Sequence, residues 1–183
     1  MNQVQLMDAL KERWDACTKC EIGTFSFQHV FGEGAIPARY LLIGEGPGIS
    51  EDVLGQPFIG KSGKLLMSAF QKSGFRRSEM YITNLVACRP CDSKQGKNRA
   101  PHDYEILNCS DRIRNIIKFV RPKLIISVGS VSSSWTSELF SSNRIRMIKH
   151  PAFILRNGGE KGPLYATWLE SIQEIKKLEK ERK

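Results

Sequence analysis

No apolar run in this 183-residue chain approaches the roughly 20 residues that a membrane-spanning helix needs. The opening segment, Met1-Asn2-Gln3-Val4-Gln5-Leu6, has neither the basic start nor the long apolar stretch of a secretory signal, so the expected compartment is cytoplasmic and reducing. Disulfides are then not expected. Five cysteines remain, an odd number at uneven spacing, which points some of them toward metal or cluster ligation. Acidic residues are also in short supply: 19 Asp+Glu stand against 28 Lys+Arg, a formal charge of +9 that favours acidic partners. There is no internal repeat. The low-hydrophobicity composition of a disordered chain is missing too, because 40% hydrophobic residues at this length suffice for the core of one domain.

The apolar segments alternate between two kinds. Tyr40-Leu41-Leu42-Ile43, Met80 to Val86, Leu124 to Gly129 and Arg146-Met147-Ile148 read as short strands, the longer of them buried on both faces. Helical spacing marks Leu6-Ala9-Leu10-Arg13-Trp14, then segments from about Lys61 to Gly74, Pro101 to Phe119, Val131 to Leu139 and Tyr165 to Lys180. Residues 21 to 38 carry no sustained period and read as loop, and Glu174 to Lys183 as a solvated, fraying helix end. Strands alternating with helices predict an α/β fold, a three-layer αβα sandwich around a parallel sheet of about four strands. Such sheets bind ligands beyond the carboxyl ends of their strands, where Gly44-Glu45, Asn84 and His150 fall.

Gly44-Glu45-Gly46-Pro47-Gly48 stops the first strand abruptly. No Gly-Lys-Ser/Thr follows these three glycines at phosphate-loop spacing, and they do not form a dinucleotide fingerprint. The segment continues Ile49-Ser50-Glu51-Asp52-Val53-Leu54-Gly55-Gln56-Pro57-Phe58-Ile59-Gly60-Lys61-Ser62-Gly63-Lys64-Leu65-Leu66. This stretch closely resembles the first motif of the family-four type of uracil-DNA glycosylase. The resemblance extends to Cys17-Thr18-Lys19-Cys20, Phe31-Gly32-Glu33-Gly34, Ile82-Thr83-Asn84, Cys88-Arg89-Pro90, Asn98-Arg99-x-Pro101 and His150-Pro151, covering nearly the whole chain in order.

The resemblance implies a single domain over residues 1–183. It implies a DNA repair enzyme that flips uracil out of DNA and hydrolyses its N-glycosidic bond, leaving an abasic site. Asn84 would read the uracil edge, and an amide suits that task because it sets an acceptor beside a donor. Phe58 would stack on the extruded base, with Gly44 and Gly46 against it. Glu51 would lie where it excludes the methyl of thymine. His150 would donate to a uracil carbonyl as the base leaves, and Glu45 would stabilise the cationic sugar or orient water. Lys61, Ser62, Leu155 and Arg156 would meet DNA, Leu155 as a wedge. Lys64, Arg89, Lys94, Lys97, Arg99 and Lys149 would add positive charge near the phosphates.

Cys17, Cys20, Cys88 and Cys109 match the family's ligands for a 4Fe-4S cluster, which would join residues 1–20 to 88–109. Four thiolates suit zinc equally, and Cys91, three residues after Cys88, is an alternative ligand. The partner implied is uracil-containing DNA, bound by a monomer with no membrane attachment.

Two readings compete with uracil excision: the same fold acting on another deaminated base or trapping DNA covalently, and a non-catalytic DNA-binding module. Trapping relatives carry a His just before the conserved Pro, where this chain has Asn98-Arg99-Ala100. Two further departures from the family are a long segment from Cys91 to Lys97, and Ala152 where Ser commonly follows His-Pro, the lost hydroxyl being expected to cost a contact to DNA or to the histidine.

Overall fold

The computed structural model describes residues 2–140 and 144–181. Its strands are β1 (Glu33–Gly34), β2 (Tyr40–Gly44), β3 (Met80–Asn84), β4 (Leu124–Val128) and β5 (Ile145–Ile148). Its helices are α1 (Gln3–Asp15), α2 (Ile22–Phe25), α3 (Ile49–Leu54), α4 (Lys61–Lys72), α5 (Asp103–Val120), α6 (Ser130–Leu139), α7 (Pro151–Arg156) and α8 (Tyr165–Glu181). The sheet runs in the order β1-β3-β2-β4-β5, parallel from β3 to β5, with β1 antiparallel at the edge.

The continuous apolar runs of β2, β3 and β4 arise because helices cover both faces and every residue of these strands is buried. Successive side chains point to opposite faces. Leu41, Ile43, Tyr81 and Ile125 join α1 and α5 in one half of the core. Tyr40, Leu42, Met80, Ile82, Leu124 and Ile126 join α4 and α8 in the other. The expected three-layer sandwich is therefore present, with a fifth, two-residue strand added.

Several boundaries differ from the sequence reading. Residues 21–38 contain α2 and β1, elements too short for a periodic signal. Ile49–Leu54, to which the sequence reading assigned no element, is α3, which ends at Gly55 in the left-handed region, φ 71°. The buried face of α1 is Met7, Leu10 and Trp14, so Ala9 belongs to the solvent side.

The largest correction concerns the chain's end, of which Arg182 and Lys183 lie outside the described residues. Its Lys/Glu composition from Glu174 onward suggested a solvated, fraying end, yet Ile175 is buried there. Glu179 accepts from Tyr40 Oη at 2.7 Å and pairs with Arg39 at 2.8 Å, and Lys176 Nζ stands 4.6 Å from the Phe75 ring centre. Truncation after Glu174 removes these ties. Burying one isoleucine contributes about 2 kcal/mol, so a lowered Tm and denaturation midpoint are expected, measured by thermal and urea unfolding.

Candidate active site

Strand register assembles the site. Gly44 pairs with Asn84 across β2 and β3, and Val128 pairs with Ile148 across β4 and β5, so all four parallel strands end at one level. Leu85 N–H donates to Gly44 C=O at 2.9 Å, and Gly129 N–H to Ile148 C=O at 2.9 Å, extending the alignment past the strands. Glu45, Asn84 and His150 are far apart in the chain and are brought to one cavity by this alignment.

That cavity has a volume of about 310 Å³, at the small end of ligand pockets. Glu45, Gly46, Glu51, Phe58, Ser62, Asn84, His150 and Arg156 line it, together with Asn98. Gly44 is not in its lining but lies behind Asn84 and Phe58. A methyl group there would collide with Asn84 Oδ1 and stand 2.6 Å from Phe58 Cζ, so glycine is what lets both side chains close over the strand end. Phe58 itself has φ 57°, a strained conformation for a non-glycine residue.

Lys61 and Leu155 lie outside this cavity. They line an adjoining groove of about 360 Å³ that shares Gly48, Glu51, Ser62, Asn98, Ala152 and Arg156 with it. A larger cavity, about 450 Å³ between α1 and the α2 region, contains none of the residues expected to act. Size alone does not identify the site here.

His150 caps α7, and its Nδ1 accepts from Ala152 N–H at 3.2 Å. A neutral imidazole with Nδ1 occupied as acceptor carries its proton on Nε2, which is then a donor. Burial and the nearby Arg156 hold His150 below the usual histidine range, in its neutral form. Ala152 supports the histidine through its backbone N–H, a contact that does not depend on a side-chain hydroxyl. Residues Phe153 to Arg156 form most of α7, a helix for which no sequence signal was read, and Leu155 is 37% exposed on it.

Burial raises the Glu45 carboxyl above the usual range. Its Oε1 lies beside Gly129, a residue the sequence reading passed over. Gly129 has φ 95°, and a methyl group there would stand 2.5 Å from Glu45 Oε1 and 3.3 Å from His150 Cβ. On the roles the resemblance implies, Gly129→Ala is expected to displace Glu45 and slow single-turnover cleavage of uracil-containing DNA roughly tenfold or more, as misplacement of a reacting group does. DNA affinity in a gel-shift titration should stay unchanged. The available signal was a glycine directly after a buried strand.

Glu51 is 8% exposed and its Oε1 accepts from Gly60 N–H at 2.7 Å, so it fastens the α3–α4 connection while it lines the cavity. Neither Arg89 nor Arg99 is a free surface charge, although Arg99 lines the cavity. Arg89 is buried, paired with Asp52 at 3.5 Å, and donates to the carbonyls of Lys94 and Gly96 and to Asn98 Oδ1. This holds the long 91–97 segment in place. Arg99 is tied to Asp92 and to the buried Glu105. Lys61, Lys64, Lys94, Lys97 and Lys149 are exposed. Gly55-Gln56-Pro57-Phe58-Ile59-Gly60-Lys61-Ser62 spells the phosphate-loop pattern, but a helix precedes it instead of a strand and Phe58 is buried within it, so it is no nucleotide cradle.

The five cysteines are free. Cys88 and Cys109 are buried in the α1–α5 half of the core, with Cys17 and Cys20 packed against it. Cys91 lies outside that group, its Sγ 3.5 Å from Arg89 C=O. Burial and the neighbouring Cys109 and Cys17 push the Cys20 thiol up to about 11. Burial likewise raises Cys88, with Cys109, Cys20 and Cys17 adding to it. Among the described residues no three His, Cys, Asp or Glu side chains meet as ligands of one ion. A four-iron cluster takes one thiolate at each of four separate irons and sets no such requirement. The all-thiol donor set fits it.

A parallel sheet whose strand ends deliver an amide, a carboxylate and a neutral histidine to one cavity, closed by an aromatic ring from the α3–α4 connection, has the makings of a DNA glycosylase type of site. The family model of the Uracil DNA glycosylase superfamily matches residues 31–173, and the chain belongs to that superfamily. The proteins it resembles narrow this further. A Type-4 uracil-DNA glycosylase of Thermotoga maritima is 30% identical, over 94% of each chain. That of Saccharolobus solfataricus is 38% identical over 77% of this chain and 62% of its own, and that of Archaeoglobus fulgidus 29% over 90% and 81%. No helix among the described residues is long and apolar enough to cross a membrane.

Proposed function

We propose that this protein removes uracil from DNA by hydrolysing the N-glycosidic bond, leaving an abasic site. The observation that carries the reading is the convergence of Asn84, Phe58, Glu45 and His150 on the 310 Å³ cavity, with the His150 Nε2 proton held in place by the Ala152 contact. The extruded base would lie against Phe58 and be read at its edge by Asn84. As the bond breaks, negative charge grows on uracil and positive charge on the sugar. Nε2–H of His150 stabilises the first, and Glu45 the second, or orients the attacking water. Lys61, Ser62, Arg156 and the exposed lysines around the groove would hold the phosphates, with Leu155 entering the duplex.

The test uses purified protein and labelled oligonucleotides containing uracil, hypoxanthine or thymine opposite guanine, followed by alkaline cleavage. Strand scission at uracil alone is expected. Scission chiefly at another base would replace this reading with an altered-base enzyme, a covalent adduct with a trapping enzyme, and binding without scission with a silent module.

Cys17, Cys20, Cys88 and Cys109 are the residues that would hold a 4Fe-4S cluster, and such a cluster would supply a covalent fastening between the N-terminal segment and α5. Anaerobically purified protein is expected to be brown and to contain iron and sulfide in nearly equal amounts. Stoichiometric zinc would overturn the cluster. Cys109→Ala should lose iron and unfold at lower temperature, whereas Cys91→Ala should keep its iron.

A further inference from the structure

Arg112 is 0% exposed, the largest wholly buried side chain among the described residues. Its Nη1 donates to Phe31 C=O at 2.6 Å and Thr83 Oγ1 at 2.9 Å, and its Nη2 to Asn84 C=O at 2.5 Å and Leu85 C=O at 3.2 Å. All four acceptors are neutral. No carboxylate among the described residues pairs with it, and its Nε has no hydrogen-bond partner. Burying a cation is costly without an anion to balance it. Arg112 lies three residues after Cys109, on the same side of α5, and two of the three carbonyls it grips, those of Asn84 and Leu85, belong to the strand end that runs on to Cys88.

We propose that Arg112 is a positioning residue that ties the cluster to the uracil-reading strand end. Its planar fork fixes the backbone of Asn84 and Leu85, and its charge is balanced by the net negative four-iron, four-thiolate cluster. This rests on the function and cluster proposed above. It assigns work to a residue that contacts neither uracil nor iron.

The test compares wild type, Arg112→Lys and Arg112→Met as iron-loaded proteins, by single-turnover uracil cleavage and by protein-film voltammetry of the cluster. Lysine keeps the charge but not the fork. It should therefore leave the midpoint potential near that of wild type while slowing cleavage roughly tenfold, as a displaced recognition group does. Methionine should slow cleavage at least as much and move the potential in the negative direction, because a cation that favoured the reduced, more anionic cluster is gone. A methionine variant with unchanged potential, or a lysine variant with wild-type cleavage, would overturn the proposal. If Arg112→Met does not fold, Thr83→Val and Arg112→Lys carry the cleavage arm, since Thr83 Oγ1 is one of the four acceptors. Failure of the underlying readings shows separately: wild type would then fail to cleave uracil, or would hold no iron.

Discussion

Asn84→Asp is expected to lower single-turnover excision of uracil by roughly 10³-fold, because a site built to hydrogen-bond its substrate loses that much or more when a partner is removed. The amide of Asn84 offers a carbonyl oxygen and an N–H together, which matches an N–H beside a carbonyl on the uracil edge. An ionised carboxylate accepts at both oxygens, so one of them faces the uracil carbonyl without a proton between them. Asn84 is only 2% exposed, and burial of the new carboxyl raises its pKa. The protonated acid regains a donor next to an acceptor. The ratio of variant to wild-type rates should therefore increase as pH falls. A cytosine-containing strand, whose amino group can donate to a carboxylate, should be handled slightly better by the variant than by wild type. DNA affinity should change little, since Asn84 lies on the floor of the cavity and not among the exposed lysines. Wild-type excision by Asn84→Asp would remove the residue from uracil recognition.

The parts of this site that were legible beforehand are those in which one local pattern carries the information. Three buried strands with helices between them show as apolar runs, and a parallel sheet then places its ligands at the carboxyl ends. That pattern puts Glu45, Asn84 and His150 at strand ends, the resemblance to uracil-DNA glycosylases singles them out, and the structure brings all three to one cavity. What stayed hidden depends on contacts between distant segments. Arg89 and Arg99 look like surface charges in a basic chain, and only the fold reveals Asp52 and Glu105 facing them. Glu179 sits in a Lys/Glu run whose composition says solvent, yet Arg39 and Tyr40 meet it from the sheet. Gly129 carries no motif of its own, and its position between Glu45 and His150 follows from the β4–β5 register. α3 and α7 have six residues each, too few turns to display helical periodicity.

His150→Ala and Glu45→Ala should each slow single-turnover cleavage by about 10²-fold or more, the usual loss when an electrostatic or acid–base contributor is deleted. The pH dependence separates their roles. In the proposed mechanism Glu45 acts as an anion, and burial holds its carboxyl above the usual range, so its protonation should begin to slow the reaction at a higher pH than that of an exposed glutamate would. His150 in that mechanism is a neutral donor, with burial and Arg156 holding it below the usual range. Protonation at Nδ1 would break the Ala152 contact. Both limbs of the profile therefore fall on the acid side, and the wild-type rate should be level from neutral pH upward. Glu45→Gln should be slower throughout and lack the carboxylate limb, while His150→Ala should keep it. Stability follows the same groups with opposite signs. For His150, the unfolded chain takes up its proton first, so stability declines as pH drops from the ordinary histidine range toward the lowered folded value. For Glu45, the folded chain holds its proton longer, so stability declines as pH rises from the ordinary glutamate range through the raised folded value. Glu45→Gln should thus be more stable than wild type at neutral pH while cleaving more slowly, and a variant that was both less stable and fully active would place Glu45 outside the chemistry.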